Sequence, residues 1–283
     1  MRKLFLLILT TAFTAIGAYS QSGDAITLRP VNAAYTLRAG SAHIADTYLT
    51  PLKYNGWTAG FAYQRLQAAK FSPERWVMQL GVSLDAQRTL NPAHSANMWS
   101  AAIQVDYAML WRAKWKYGIS FGVGPQASLI GGIRYLERNG NNPASARATF
   151  TFNATGYAAW NGNIGRLPVT LRYQPAIPVI GAFFGPDYGE LYYEIYLGNH
   201  SGLAHCAWWG SYFRMDNALT LDLHFGSTAL RLGYQGVFES TKANDIVTRT
   251  CLHSAVIGVS GDWISLPSSN ALSKETKIIT AGY

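Results

Sequence analysis

Along most of this chain every second residue is apolar or aromatic. Leu219-Thr220-Leu221-Asp222-Leu223-His224-Phe225 shows the alternation most cleanly. A strand points successive side chains to opposite faces, so one face of that segment is wholly oily. The pattern predicts strands at Ala33–Gly40, Trp57–Gln67, Trp76–Gln87, Trp99–Arg112, Tyr117–Tyr135, Thr149–Asn161, Pro168–Ala176, Glu190–Leu197, Leu203–Phe213, Leu219–Phe225, Leu230–Glu239 and Leu252–Ile264. No helix-period stretch of useful length follows the leader. Strands oily on one face need an apolar environment on that side only. In an exported chain without a long apolar run, that environment is lipid around a closed barrel. The predicted class is all-β, an antiparallel up-and-down transmembrane β-barrel of about twelve strands.

The connections sort by length. Phe71–Glu74, Ala113–Lys116, Asn161–Leu167, Asn199–Gly202 and Gly226–Ala229 are short and are predicted at the periplasmic end. Ser41–Gly56, Arg88–Met98, Glu137–Arg147, Ile177–Gly189 and Ser240–Cys251 are longer and are predicted to face outward. Arg214–Ala218 is shorter than its outward place requires. Trp57, Trp76, Trp99, Trp111, Trp160 and Trp263 fall near strand ends, where amphipathic rings favour the membrane interface.

The first residues supply the export signal that this reading needs. Arg2 and Lys3 precede the apolar run Leu4–Leu9, and Ala18 and Ser20 stand at minus three and minus one of a cleavage point before Gln21. The expected division is a signal peptide at 1–20, a barrel at 21–266 and a periplasmic tail at 267–283. The formal charge of +8 falls to +6 without Arg2 and Lys3, and only 13% of residues are charged. A soluble domain carries about 25%. The basic residues are scattered and the chain is exported, so nucleic acid is not an expected partner. Cys206 and Cys251 cannot staple a fold of this size and read as packing residues.

With the oily face outward, the other face forms a polar lumen. Its charged members are Arg38, Asp85, Asp106, Arg112, Arg172, Glu190, Glu194, Asp222, His224, Arg231 and Glu239. Gln64, Gln79, Gln104, Thr151, Asn153, Gln174 and Gln235 accompany them. A four-residue turn at Gly226–Ala229 would set His224 opposite Arg231, with Asp222 diagonal. These groups either line a path or satisfy one another and close it. Basic residues recur at outward ends: Lys53, Arg88, Arg134, Arg138, Arg147, Arg214, Lys242 and Arg249. Lys53, Arg138, Arg147, Lys242 and Arg249 are the candidates for contacts with glycolipid phosphate, lipopolysaccharide included, and a solvated rim is the alternative.

Catalytic chemistry finds little support. The outer-membrane phospholipase hallmark is a His followed two residues later by a Ser on one strand face, with Asn nearby, and no His-x-Ser occurs. His200-Ser201 and His253-Ser254 are adjacent and point to opposite faces. Asp187 and Glu190 near the rim have no His in their loop. The six histidines, His43, His94, His200, His205, His224 and His253, show no metal-ligand spacing, and there is no CxxC. No cofactor or metal is expected. Gly122-Val123-Gly124 followed by Pro125 reads as strand curvature, not a phosphate cradle.

Two segments carry a family likeness: D-T-Y-L-T-P-L-K-Y-N-G-W, Asp46 to Trp57, and L-R-L-G-Y-Q-G-V-F-E-S-T-K-A-N-D-I-V-T-R-T-C-L-H-S-A-V-I-G-V-S-G-D-W, Leu230 to Trp263. They resemble a bacterial family of outer-membrane-like β-barrel proteins known as a domain of unknown function. The resemblance implies a β-barrel and supplies no reaction, ligand or catalytic residue. Its Thr-Tyr-Leu-x-Pro-Leu element falls on Thr47, Tyr48, Leu49, Pro51 and Leu52. From the residues alone this is an ordered outward loop, stiffened by Pro51. Lys277 to Tyr283 is either the end of a periplasmic tail or an additional strand.

The expected function is that of a non-enzymatic barrel in the outer membrane of a Gram-negative bacterium, contacting outer-membrane lipid. It would serve as a narrow channel or as a structural and interaction platform. A lipid-acting enzyme would require a Ser, a His and an acid to converge at the lipid face. A soluble periplasmic barrel binding an apolar ligand would require the oily faces to point inward.

Overall fold

The computed structural model describes residues 27–140, 142–187, 189, 191–198, 201–264 and 277–282. The elements are β1 (Thr27–Leu28), β2 (Val31–Asp46), β3 (Lys53–Ala68), β4 (Trp76–Leu90), β5 (Asn97–Lys114), β6 (Ile119–Leu136), β7 (Ala144–Ile164), β8 (Leu167–Phe184), helix α1 (Tyr192–Tyr196), β9 (Ala204–Ala207), β10 (Tyr212–Phe225), β11 (Thr228–Ala243), β12 (Ile246–Trp263) and β13 (Lys277–Ile278). Ten antiparallel strands form one closed wall: β2 to β8 in sequence, then β10, β11 and β12, which returns to β2. Closure removes the sheet edges that lipid cannot satisfy. β9 pairs only with the outward end of β8, and β1 pairs in parallel with β13 apart from the wall.

The alternation sets the faces as expected. Along β5, Trp99, Ile103, Tyr107 and Trp111 are exposed, while Met98, Ser100, Ala108, Leu110 and Arg112 are buried. Leu37 and Leu129 are 62% and 56% exposed on the same outer surface, as no soluble core residue is. The oily surface is therefore the outside, which excludes the soluble barrel with an apolar interior. Trp99 and Trp111 lie twelve residues apart on one strand. That is about 40 Å along a strand, or about 30 Å of height at the usual tilt of about 40°. The two tryptophans thus bracket one hydrocarbon thickness, and the fold is a transmembrane β-barrel.

The strand number is ten in the wall, not twelve, for two local reasons. Glu190–Leu197 is no strand: Glu190 lies outside the described residues and Tyr192–Tyr196 is a single helical turn in the connection from β8 to β10. Leu203–Phe213 divides into β9 and the start of β10, and Arg214–Ala218 is strand rather than turn. Parity is unchanged, so both barrel ends stay on one side. Of the predicted periplasmic turn Asn199–Gly202, Asn199 and His200 lie outside the described residues, and Ser201 and Gly202 fall in the outward connection between β8 and β10.

Four of the outward connections, all but the one from β8 to β10, are also shorter than predicted, because the strands rise past the tryptophan belt. Ser240–Cys251 is a hairpin closed by Asn244 and Asp245 alone, both in the left-handed region at φ 49° and 59°. Asn and Asp tolerate that conformation, which two-residue hairpin turns demand. At the other end the β10–β11 turn is Gly226–Ser227, with Phe225 opposite Thr228. Asp222 is thereby set directly opposite Arg231, and His224 opposite Ala229, a correction to the wider turn. The signal-peptide segment at 1–20 lies outside the described residues.

Candidate functional site

The lumen is filled by side chains that reach across it at successive heights. On β11 the inward residues Arg231, Gln235 and Glu239 are spaced by four, about 13 Å along the strand for each interval. Each belongs to a different level.

Nearest the periplasm, Arg231 binds both oxygens of Asp222 at 2.7 Å and reaches Gln64 of β3 at 2.9 Å. Arg172 of β8 donates to Gln174 at 3.0 Å and lies 3.9 Å over the Tyr157 ring. Gly122 makes room for that ring: a Cβ there would meet Tyr157 Cε1 at 2.1 Å. Within the segment expected to curve, Gly122–Pro125, the pairing of β6 with β5 lapses at Gly124 and Pro125 without a change of register. At the same end Thr170 is hydrogen-bonded to His224 at 2.9 Å.

At the middle level Arg38 of β2 binds Asp85 of β4 at 2.8 Å and Gln235 at 2.6 Å. Asp106 has no cationic partner within ion-pair distance among the described residues. It is held by Gln104 at 3.0 Å and by Ser128, to which Asn153 donates at 2.9 Å. Around these groups lies a cavity of about 160 Å³, lined by Gln64, Gln79, Gln104, Gln126, Gln174 and Gln235 among others. A cavity so polar and of that size accommodates water.

The outward level is the most heavily charged. Glu239 accepts from Arg214 at 2.5 Å and from Arg147 of β7. Arg214 also grips Asp216 through both oxygens at 2.9 Å and reaches Gln104 of β5 at 2.8 Å. Arg134 of β6 spans to Asp46 of β2 at 2.8 Å and Thr250 of β12 at 2.6 Å. Bidentate and shared guanidinium contacts of this kind suit a dry interior, where a lone charge would be costly.

A chain segment lies over part of each mouth. Outward, Thr47–Leu52 folds over the opening: Leu49 packs with Ile44, Tyr54, Ala96, Met98 and Leu136. Asp46 starts this turn by accepting from the amides of Leu49 and Thr50 at 3.1 and 2.9 Å, while its carboxylate holds Arg134. The Thr-Tyr-Leu-x-Pro-Leu element is therefore an ordered outward loop and also a cap. At the periplasmic end Ala281 is buried against Leu66 and Val77. Arg112 donates to the carbonyls of Glu74, Pro73 and Thr280 at 2.8, 2.9 and 2.6 Å, which ties the tail over the β3–β5 side of the opening. Lys277 pairs with Glu74, whose exposed carboxyl is held below its ordinary range first by that hydrogen bond. Among its described residues, 277–282, the tail forms the two-residue β13.

Most of the expected lumen set is brought together: Arg38, Asp85, Asp106, Arg112, Arg172, Asp222, His224, Arg231 and Glu239 all take part. Glu194 does not. It stands on α1 outside the lumen, where its carboxylate accepts from the Leu191 amide at 3.0 Å. Of the rim cations, Arg134, Arg147 and Arg214 turn inward, which removes Arg147 from the glycolipid set. Lys53, Arg138, Lys242 and Arg249 remain exposed outside. Arg88 is exposed over the Trp99 ring at 5.4 Å. Sequence parity held the signal for the three inward arginines: each has the even-numbered or odd-numbered phase of the polar face on its own strand.

Among solved structures the chain is similar to Neisserial surface protein A, at 10% identity and a TM-score of 0.34, covering 82% of this chain and 97% of that one. It is similar to the translocator domain of autotransporter NalP from Neisseria meningitidis, at 11% and 0.35, covering 93% and 96%. The transport unit of autotransporter AIDA-I from Escherichia coli gives 10% and 0.33, covering 89% and 97%. The wall traced above, not these likenesses, fixes the strand number. No curated protein sequence matches. A family profile described as a protein of unknown function, DUF3316, matches residues 4–270. With nearly the whole chain inside that match, the protein belongs to the DUF3316 family.

Proposed function

We propose that this protein is a closed barrel of the outer membrane of a Gram-negative bacterium, acting through its wall, rim and outer cap as a structural and lipid-contacting platform. The observation that carries this reading is the stack of contacts across the lumen, Arg231–Gln64, Arg214–Gln104 and Arg134–Asp46, between chain segments that lie over part of each mouth. The lumen holds charges that answer one another, which supports a lumen closed to solutes. Cell fractionation with heat-modifiable gel mobility tests the membrane part. Recovery with the outer membrane and a mobility shift on heating are expected, and a soluble product without a shift contradicts it.

Lipid contact has its own support at the rim. Lys53 and Arg249 face outward on the same row, joined in register through Ala45, and Lys242 stands nearby on β11. None has an ion-pair partner among the described residues. Unpaired cations at headgroup height suit lipid phosphate, with lipopolysaccharide as the outer-leaflet candidate. Co-purified lipopolysaccharide should fall when Lys53, Lys242 and Arg249 are replaced together by Ala. Unchanged retention contradicts this part alone.

A further inference from the structure

Three side chains on the lipid side of β11 and β12 form a unit that the lumen does not use. Cys251 and His253 have the phase of exposed Ile257, Val259 and Trp263, so they face outward, and Tyr234 is exposed beside them. Cys251 is a free thiol whose Sγ lies 3.3 Å from His253 Nε2. Nδ1 of the same ring is hydrogen-bonded to Tyr234 Oη. With Nδ1–H donated to the phenol oxygen, Nε2 is free to accept the thiol proton. Nucleophile, base and orienting group are therefore in one chain of contacts.

The surroundings point to a ligand independently. His253 lies opposite Ser41, which lies opposite Trp57, so the unit sits in the row of the outward tryptophans. That is the depth at which headgroups give way to acyl chains. One outward-facing position above Cys251 is Arg249, in register through Ala45 with Lys53. A lipid whose phosphate rests on these two cations carries its ester carbonyls at the level of the thiol.

We propose that Cys251 is an acyl acceptor, taking one acyl chain from an ester of an anionic membrane lipid and so tethering it to the barrel wall. The thiol proton passes to His253 Nε2 as sulfur attacks the ester carbonyl. The carbon–oxygen bond then breaks, and the departing alkoxide takes the proton back from the imidazole. Thiol and ester become thioester and lysolipid alcohol, with nothing oxidised or reduced. The step adds a modification to the platform described above and presupposes only that this face meets lipid, which gel mobility tests separately.

The full chain, refolded into vesicles of dipalmitoyl phosphatidylglycerol, is followed by intact mass and peptide mapping. One hydroxylamine-labile palmitoyl group on Cys251 is expected. Cys251→Ala should carry none, and Cys206→Ala should match the native protein. His253→Ala should be slower by about 100-fold, the usual worth of a positioned base. Added lipopolysaccharide shows the source: its own acyl chain on Cys251 marks glycolipid as donor, and palmitoyl marks phospholipid, either being acyl acceptance. Absence of any thioester, equal labelling from ether-linked lipid that has no ester, or equal rates with and without His253 overturns the proposal.

Discussion

Arg134 and Asp46 meet at 2.8 Å from opposite sides of the barrel, with side chains 0% and 2% exposed. Asp46 also opens the turn that covers the outward mouth, so the pair couples the outermost ionic level to the cap.

Breaking that pair by Arg134→Ala or Asp46→Ala should therefore cost about 3–5 kcal/mol, the usual penalty for leaving one buried charge alone. Urea unfolding of the detergent-solubilised or vesicle-bound barrel measures it. The paired replacement Arg134→Met with Asp46→Leu should recover most of the loss, since it leaves neither charge behind.

The tail cover should be sensitive to acid. The Glu74 carboxyl is held below its usual range by Lys277, so the clasp is present above the unfolded-state value and is lost as pH falls through the depressed folded value. Proteolysis of the tail should remain slow through the ordinary carboxylate range and accelerate only below it. Glu74→Gln should remove the pH dependence.

The tight β11–β12 turn requires residues that accept positive φ. Asp245 sits at φ 59°, and Asp245→Val should destabilise the barrel by about 1–2 kcal/mol, whereas Asp245→Gly should be neutral or favourable. Heat-modifiable mobility against temperature reads the difference.

Gly122 is fixed by a side chain rather than by its backbone angles. Gly122→Ala would place a methyl group against the Tyr157 ring and dislodge it from Arg172, at a cost of about 1–3 kcal/mol. Equal stability of native protein and variant in denaturant would show that the ring can move freely.

The alternation at Leu219–Phe225 made the wall, its oily outside and its polar inside legible from sequence. Strand number was less so, and the reason is physical. Arg214-Met215-Asp216-Asn217 has the polarity of a turn, but a lumen-facing strand has the same polarity, because inward charges are answered by other charges rather than by water. The same ambiguity hid the outward ends of β11 and β12, where strand continues past the membrane with loop-like composition. It also put Arg147 on the rim when Glu239 holds it inside. The Cys251-x-His253 spacing stands in the sequence, but the third member of the unit, Tyr234, is brought to the ring only by the β11–β12 register.

Planar-bilayer recording of the purified native protein tests the closed lumen most directly. Insertion without stepwise conductance is expected, since Arg214–Gln104 and Arg231–Gln64 cross the lumen at two levels. A regular, ion-selective single-channel step from the native protein would contradict it.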